Sequence, residues 1–138
     1  MTATTQKLLE EAGAQFARAI NTIYQATGRI AEAEAVYERL MESAGEGAED
    51  VHLHSDVTGN YLTLRIQITQ PLEKAFELIL NAGLVVAGSE SHEATHGNYT
   101  YIHTTIHLHG IDVDVSHCEC IFLAANDQTA HEALPCAA

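Results

Sequence analysis

Imidazole and carboxylate are the groups in this chain that could do chemistry, and both are abundant: 138 residues hold nine histidines and 19 acidic side chains. Four of the histidines form two His-x-His pairs, His52/His54 and His107/His109, which an extended strand turns to one side. With His103 and Asp112 close by, the second pair offers donors of the kind zinc, manganese or iron accept. Spacing opposes convergence, since residues two apart on a flat strand are about 7 Å apart and His109 falls in a turn. Such histidines more simply line the solvent side of a half-buried sheet, paired across strands with Asp and Thr. No cofactor is therefore implied. A metal-binding protein or metal-dependent enzyme using His103, His107, His109 and Asp112 is the alternative reading.

Nucleophilic chemistry has less support. His117 and Cys118 are adjacent, so a strand points them to opposite faces. Ser89, Ser91 and His92 are clustered without the Gly-x-Ser-x-Gly elbow that would expose a serine. Phosphate-binding and dinucleotide-binding glycine loops are missing, and so is a paired Cys-x-x-Cys ribbon. These residues favour a protein that is not an enzyme. Cys118 and Cys120, two apart on one strand, are poorly placed to join each other, so reduced thiols are expected. Cys136 is followed by two residues, one short of a prenylation box, so no lipid anchor is expected.

Charge narrows the partners. Acidic side chains outnumber Lys and Arg 19 to 6, a net charge of −13, which opposes any direct grip on a nucleic-acid backbone. After Lys74 there is no Lys or Arg, so the second half should attract a basic protein partner. The histidines of that half should lower its negative charge near about pH 5 to 6 and so shift solubility or assembly, although surface histidines that titrate independently without structural effect are the simpler expectation. The N-terminus has no signal pattern and no apolar run approaches a membrane span, so a soluble, cytoplasmic protein without a membrane partner is expected.

The elements that must position these groups begin with a helix over Thr5 to Ser43 carrying one heptad phase. Its a positions are Leu9, Phe16, Ile23, Ile30 and Tyr37, and its d positions are Ala12, Ala19, Ala26, Ala33 and Leu40. Gly28 lies on the outer side of that helix, so the seam predicts one continuous helix rather than a hairpin at Thr27-Gly28-Arg29. At about 1.5 Å per residue it would be about 60 Å long, too long for so small a domain to bury. Residues 1–44 therefore read as a coiled-coil oligomerisation helix, a homodimer being favoured, with those ten seam residues as the interface. The alternative cover for part of the stripe is the chain's own sheet.

Residues 45–50 read as a linker and 51–138 as an antiparallel α+β domain of order β-β-α-β-β-β. Val51–Val57 and Leu62–Ile68 alternate around Gly59-Asn60, which predicts a two-residue hairpin with His54 opposite Arg65. Thr69 or Gln70 should cap a helix from Pro71 whose stripe is Leu72, Phe76, Ile79 and Leu80. Leu84–Ala87 reads as a strand and Gly88–Asn98 as a polar loop. A second hairpin around His109-Gly110 sets His107 opposite Asp112 and gathers Tyr101, His103, Thr105, His107, Asp112 and Asp114 on one polar face. One or two helical turns are expected between Ala124 and Pro135. The leading expectation is a non-enzymatic acidic oligomer that binds, through that face, a basic nucleic-acid-handling partner and inhibits it as a nucleic-acid mimic, in the manner of a phage-type anti-defence inhibitor. An oligomer sequestering a small ligand is a further alternative.

Overall fold

A computed structural model describes residues 1–123 and, for the backbone, 131–135. The chain is a mixed α+β protein in which helices lie on one face of a sheet. Its order is α1 (Ala3–Gln25), α2 (Thr27–Ala44), a 3-10 helix (Gly45–Asp50), β1 (Val51–Thr58), β2 (Tyr61–Ile68), α3 (Leu72–Asn81), β3 (Val86–His96), β4 (Tyr99–Leu108), β5 (Val115–Leu123) and β6 (His131–Pro135). Among the described residues no helix is long and apolar enough to cross a membrane.

The single long helix is corrected to two, and the break is at Ala26 rather than at Gly28. Ala26 has φ −100° and ψ 9°, outside the helical well, while its N–H still reaches the carbonyls of Thr22 and Ile23. The Thr27 hydroxyl donates to Tyr24 O at 3.2 Å, so a side chain occupies a carbonyl at the break. No hairpin forms; the chain continues after one residue. The interruption lets α2 turn Ala33, Val36 and Leu40 into the core, with Tyr37 packed against them. Val36 lies outside the heptad seam, so the stripe that meets the sheet differs from the line shared with α1. α1 has no buried residue. A coiled coil is therefore not a feature of the single chain, and the second half of its expected seam is consumed at home.

The expected linker is an anchored 3-10 turn. Gly45 ends α2 with φ +58°, a left-handed conformation that glycine adopts without strain. At the far end Thr69 N–H donates to Asp50 O (2.9 Å), and the Thr69 hydroxyl and Gln70 amide donate to the Asp50 carboxylate (3.2 Å each). Thr69 and Gln70 are thus spent on Asp50. Pro71 takes the N-cap position of α3 without a side-chain bond. α3 buries Ala75, Leu78 and Ile79, whereas Leu80, expected in the stripe, is 64% exposed.

The sheet runs β1-β2-β5-β4-β3, with β6 pairing off β5. The first hairpin has the expected register, Val57 opposite Leu62 and His54 opposite Arg65, closed at Gly59 with φ +57°. The second differs. Its connection spans residues 109–114, so His107 meets Asp114 instead of Asp112. The slip is two residues, which leaves every side chain on its expected face. β2 and β5 pair in parallel, Ile66 beside Val115, so the sheet is not wholly antiparallel. Residues read as a loop, Gly88 to His96, instead extend β3, and the tail contributes strand β6 rather than a helical turn over His131–Pro135. The rest of that stretch lies outside the described residues.

Below the helices the core joins α2, α3 and the sheet through Leu40, Ile66, Ile68, Ile79, Ile106, Val113 and Val115, all fully buried. Among the described residues His117 is the buried ionisable group on this side, 2% exposed, its Nε2–H donating to Gln70 O at 2.6 Å. That bond ties β5 to the start of α3. Truncating Leu40 to Ala should cost about 2–5 kcal/mol of unfolding free energy, a cavity-scale loss. Leu9→Ala, on the uncovered helix, should change it by under about 0.5 kcal/mol in dilute chain. Denaturant unfolding of the two variants checks both values.

Candidate functional site

Strand register decides which side chains share the open face of the sheet. β4 presents Tyr99, Tyr101, His103, Thr105 and His107 there, β5 presents Ser116, Cys118, Cys120 and Phe122, and β3 presents Glu90, His92, Ala94 and His96. β1 and β2 add His52, His54 and Asp56 beside Thr63, Arg65 and Gln67. Six of the nine histidines (His52, His54, His92, His96, His103 and His107) therefore stand on one face. Of the expected partner-binding residues, Tyr101, His103, Thr105, His107 and Asp114 come together. Asp112 does not. It sits in the 109–114 connection, where its N–H donates to Glu32 Oε1 at 2.9 Å, toward the helix side.

His107 is the best-held imidazole on this face. Its Nδ1–H donates to Asp114 Oδ1 at 2.9 Å, and its Nε2 lies 3.8 Å from Glu90 Oε1. The hydrogen bond and charge of Asp114, aided by Glu90, raise its pKa above the ordinary histidine value. One ring thus links β3, β4 and the approach to β5. Glu90 was missed as a partner because its segment read as a loop. The alternation Glu90, His92, His96 is the period-two signal that could have found it.

His54 Nε2–H donates to Gln67 Oε1 at 3.1 Å, so it bonds diagonally rather than to Arg65. His52 and His54 have ring centroids 6.1 Å apart. At the other end Tyr99 packs on Phe122 and Tyr101, with centroids 5.1 and 6.4 Å apart. Charge repulsion from Cys120 pushes the Tyr101 phenol above its ordinary value. His103 Nε2 lies 3.8 Å from Cys118 Sγ. Cys118 is disulfide-bonded, which corrects the expectation of reduced thiols, while Cys120 is free. Cys136 lies outside the described residues.

Among the described residues no group of three or more His, Cys, Asp or Glu converges as a metal site. His107 Nδ1 is held by Asp114 and its Nε2 lies near Glu90, Asp112 stands exposed in the 109–114 connection, and His109 is exposed there with its backbone N–H on Val85 O.

Acidity is concentrated elsewhere. Between Thr27 and Asp50 stand Glu32, Glu34, Glu38, Glu42, Glu46, Glu49 and Asp50 against Arg29 and Arg39. Glu34, Glu38 and Glu42 are exposed at four-residue steps on α2, one line spaced about 6 Å per step. None of the ion pairs among the described residues reaches them. Arg39 is turned to Ala82 O, 2.7 Å away, which holds α2 on α3. By contrast, among the residues whose side chains are described, the open sheet face sets Asp56, Glu90 and Asp114 against Arg65.

A cleft of about 380 Å³ lies below the break between α1 and α2. Ile23, Ile30, Leu53, Val57, Leu62 and Leu64 line it, with Glu34 and Asp56 at its edge.

No family model matches the sequence, and no curated protein or solved structure matches it either.

The His107 clamp has a defined pH dependence. A raised folded-state pKa contributes stability that is complete below the unfolded value, about 6.5 for histidine, and is lost as pH rises through the folded value. The His107 titration followed by NMR should therefore have a midpoint above the ordinary histidine value and fall toward it in Asp114→Asn. The stability gap between wild type and Asp114→Asn should widen as pH drops from 8 to 6.

Proposed function

We propose that the chain is a non-enzymatic, acidic, homo-oligomeric interaction protein that engages a basic partner of the nucleic-acid-handling kind and competes with nucleic acid for it. The observation carrying this reading is the Glu34-Glu38-Glu42 line. A rigid helix held on the core by Leu40 presents carboxylates at regular steps with no described cation paired to them. Fixed anionic spacing of this kind is what a cationic groove built for phosphates can accept, and unpaired charge chiefly accelerates encounter and selects the partner. The net charge of −13 makes a direct nucleic-acid complex unfavourable. Self-association is supported by α1, an apolar-seamed helix without a buried residue. The sheet face, where six imidazoles stand among Asp56, Glu90, Asp114 and Arg65, is a second surface and the lesser candidate for a basic partner.

The test uses immobilised wild-type chain and a Glu34→Gln/Glu38→Gln/Glu42→Gln variant. Proteins captured from lysate by wild type and eluted by duplex DNA are identified and their affinities measured. The reading expects basic proteins whose binding to the variant is at least about tenfold weaker, a difference on the order of 1.4 kcal/mol. Equal retention by the variant, or retained proteins that DNA does not displace, contradicts it.

A further inference from the structure

We infer that two chains associate by laying their α1 helices antiparallel, so that each large seam residue meets an alanine, with Phe16 against the partner's Ala19. The inference rests on the self-association reading above and adds the surface, the orientation and the register.

α1 is 23 residues long, about 34 Å, and none of it is buried. Leu9 is 58% and Phe16 69% exposed on the side that carries Ala12 and Ala19. Leu8 is 60% exposed as well, and Ile20 and Ile23 are 39% and 40% exposed, so α1 offers an apolar stripe along its whole length, and a stable interface needs roughly 800 Å² from each partner. A second copy is the occupant that matches it, because the stripe is complementary to itself.

Orientation follows from side-chain volume. In a parallel pair, like positions meet: Phe16 would stack on Phe16 and Ala19 on Ala19, so that the seam would alternately bulge and gap. In an antiparallel pair, a positions face d positions. Leu9 then meets Ala26, Ala12 meets Ile23, and Phe16 meets Ala19, with the same contacts repeated by the two-fold axis. Every layer holds one large and one small residue. A register one heptad further along would require Ile30 and Ala33, but Ala33 is buried in its own core and Ile30 is half-buried.

The flanking positions agree. Gly13 falls opposite the partner's Ile20, and a Cβ on Gly13 would meet nothing within 4 Å in its own chain, so its bareness is unexplained within the monomer. Gln15 falls opposite the partner's Thr22. No flanking position in α1 is charged, and Lys7, Glu10, Glu11 and Arg18 stay on the outer side. At the end of the seam the partner's Leu9 arrives beside Ala26, between Ile23 and Ile30, and closes the mouth of the 380 Å³ cleft.

Cysteine cross-linking tests this in a Cys120→Ser background. Full-length chains carrying Ala12→Cys or Ile23→Cys are oxidised separately and after mixing, and covalent dimer is read on non-reducing gels. Neither position is buried, so neither change should disturb the fold. Antiparallel pairing predicts a cross-link yield at least tenfold higher in the mixture than in either chain alone. Efficient cross-linking of Ala12→Cys by itself would make the pair parallel and overturn the proposal. Dimeric mass by light scattering without a cross-link in the mixture would place the interface elsewhere and overturn it equally. A monomeric wild-type chain at every concentration would instead remove the self-association reading on which it rests.

Discussion

Ala33, Val36 and Leu40 can be buried only if α2 turns its stripe onto β1 and β2, and that requirement governs the rest of the molecule. It ends the common line with α1 at Ala26, where one residue leaves the helical well. It brings Arg39 to the end of α3 and Ser43 to Leu78 O, so the two helices form one layer over the sheet. The same burial forces Glu34, Glu38 and Glu42 outward. It also leaves α1 without a buried residue, tied to the body near its C-terminal end, where the Thr22 hydroxyl donates to Gly59 O at 2.9 Å.

The two faces of the sheet consequently have different work. The covered face is apolar under the helices, where His117 Nε2 is on Gln70 O and its Nδ1 is buried without a hydrogen-bond partner among the described residues. It turns polar toward the edge strand, where Thr104 and Thr100 pair with Ser91 and Thr95 and where Glu93 and Glu119 stand. The open face collects imidazoles because β1, β3 and β4 each carry them at alternate positions. Its carboxylates stand among imidazoles, whereas those of α2 stand in line on a helix. This separates a surface suited to a cationic partner from one whose charge changes as histidines titrate.

Legibility in the sequence followed how local the deciding interaction was. Alternation and the Gly59-Asn60 turn fix the first hairpin within 18 residues, and its register was readable outright. The second hairpin slipped by two residues because Asp114 bonds His107 while Ile111 and Val113 are drawn into the core, yet the even slip preserved the faces. β3 was opaque: its residues are Ser, Glu, His and Thr, which look like a loop until β4 supplies the ladder. The parallel pairing of β2 with β5 joins residues nearly 50 apart and leaves no local signal. The heptad seam was real as a pattern, but it could not show that half of it would be spent on the chain's own core. That Tyr101, His103, Thr105 and His107 share one face of β4 was readable from period alone, whereas Glu90 and the carboxylate line on α2 emerged only from the fold.

An isolated helix with no tertiary cover is marginal in water, so α1 owes its persistence to whatever packs on its seam. Amide hydrogen exchange measured across a range of protein concentrations addresses that dependence directly. The account predicts that amides of Leu9 to Ile20 become protected as concentration rises, while those of β2 and β5 are protected at every concentration. Exchange in α1 that stays fast and independent of concentration would contradict it.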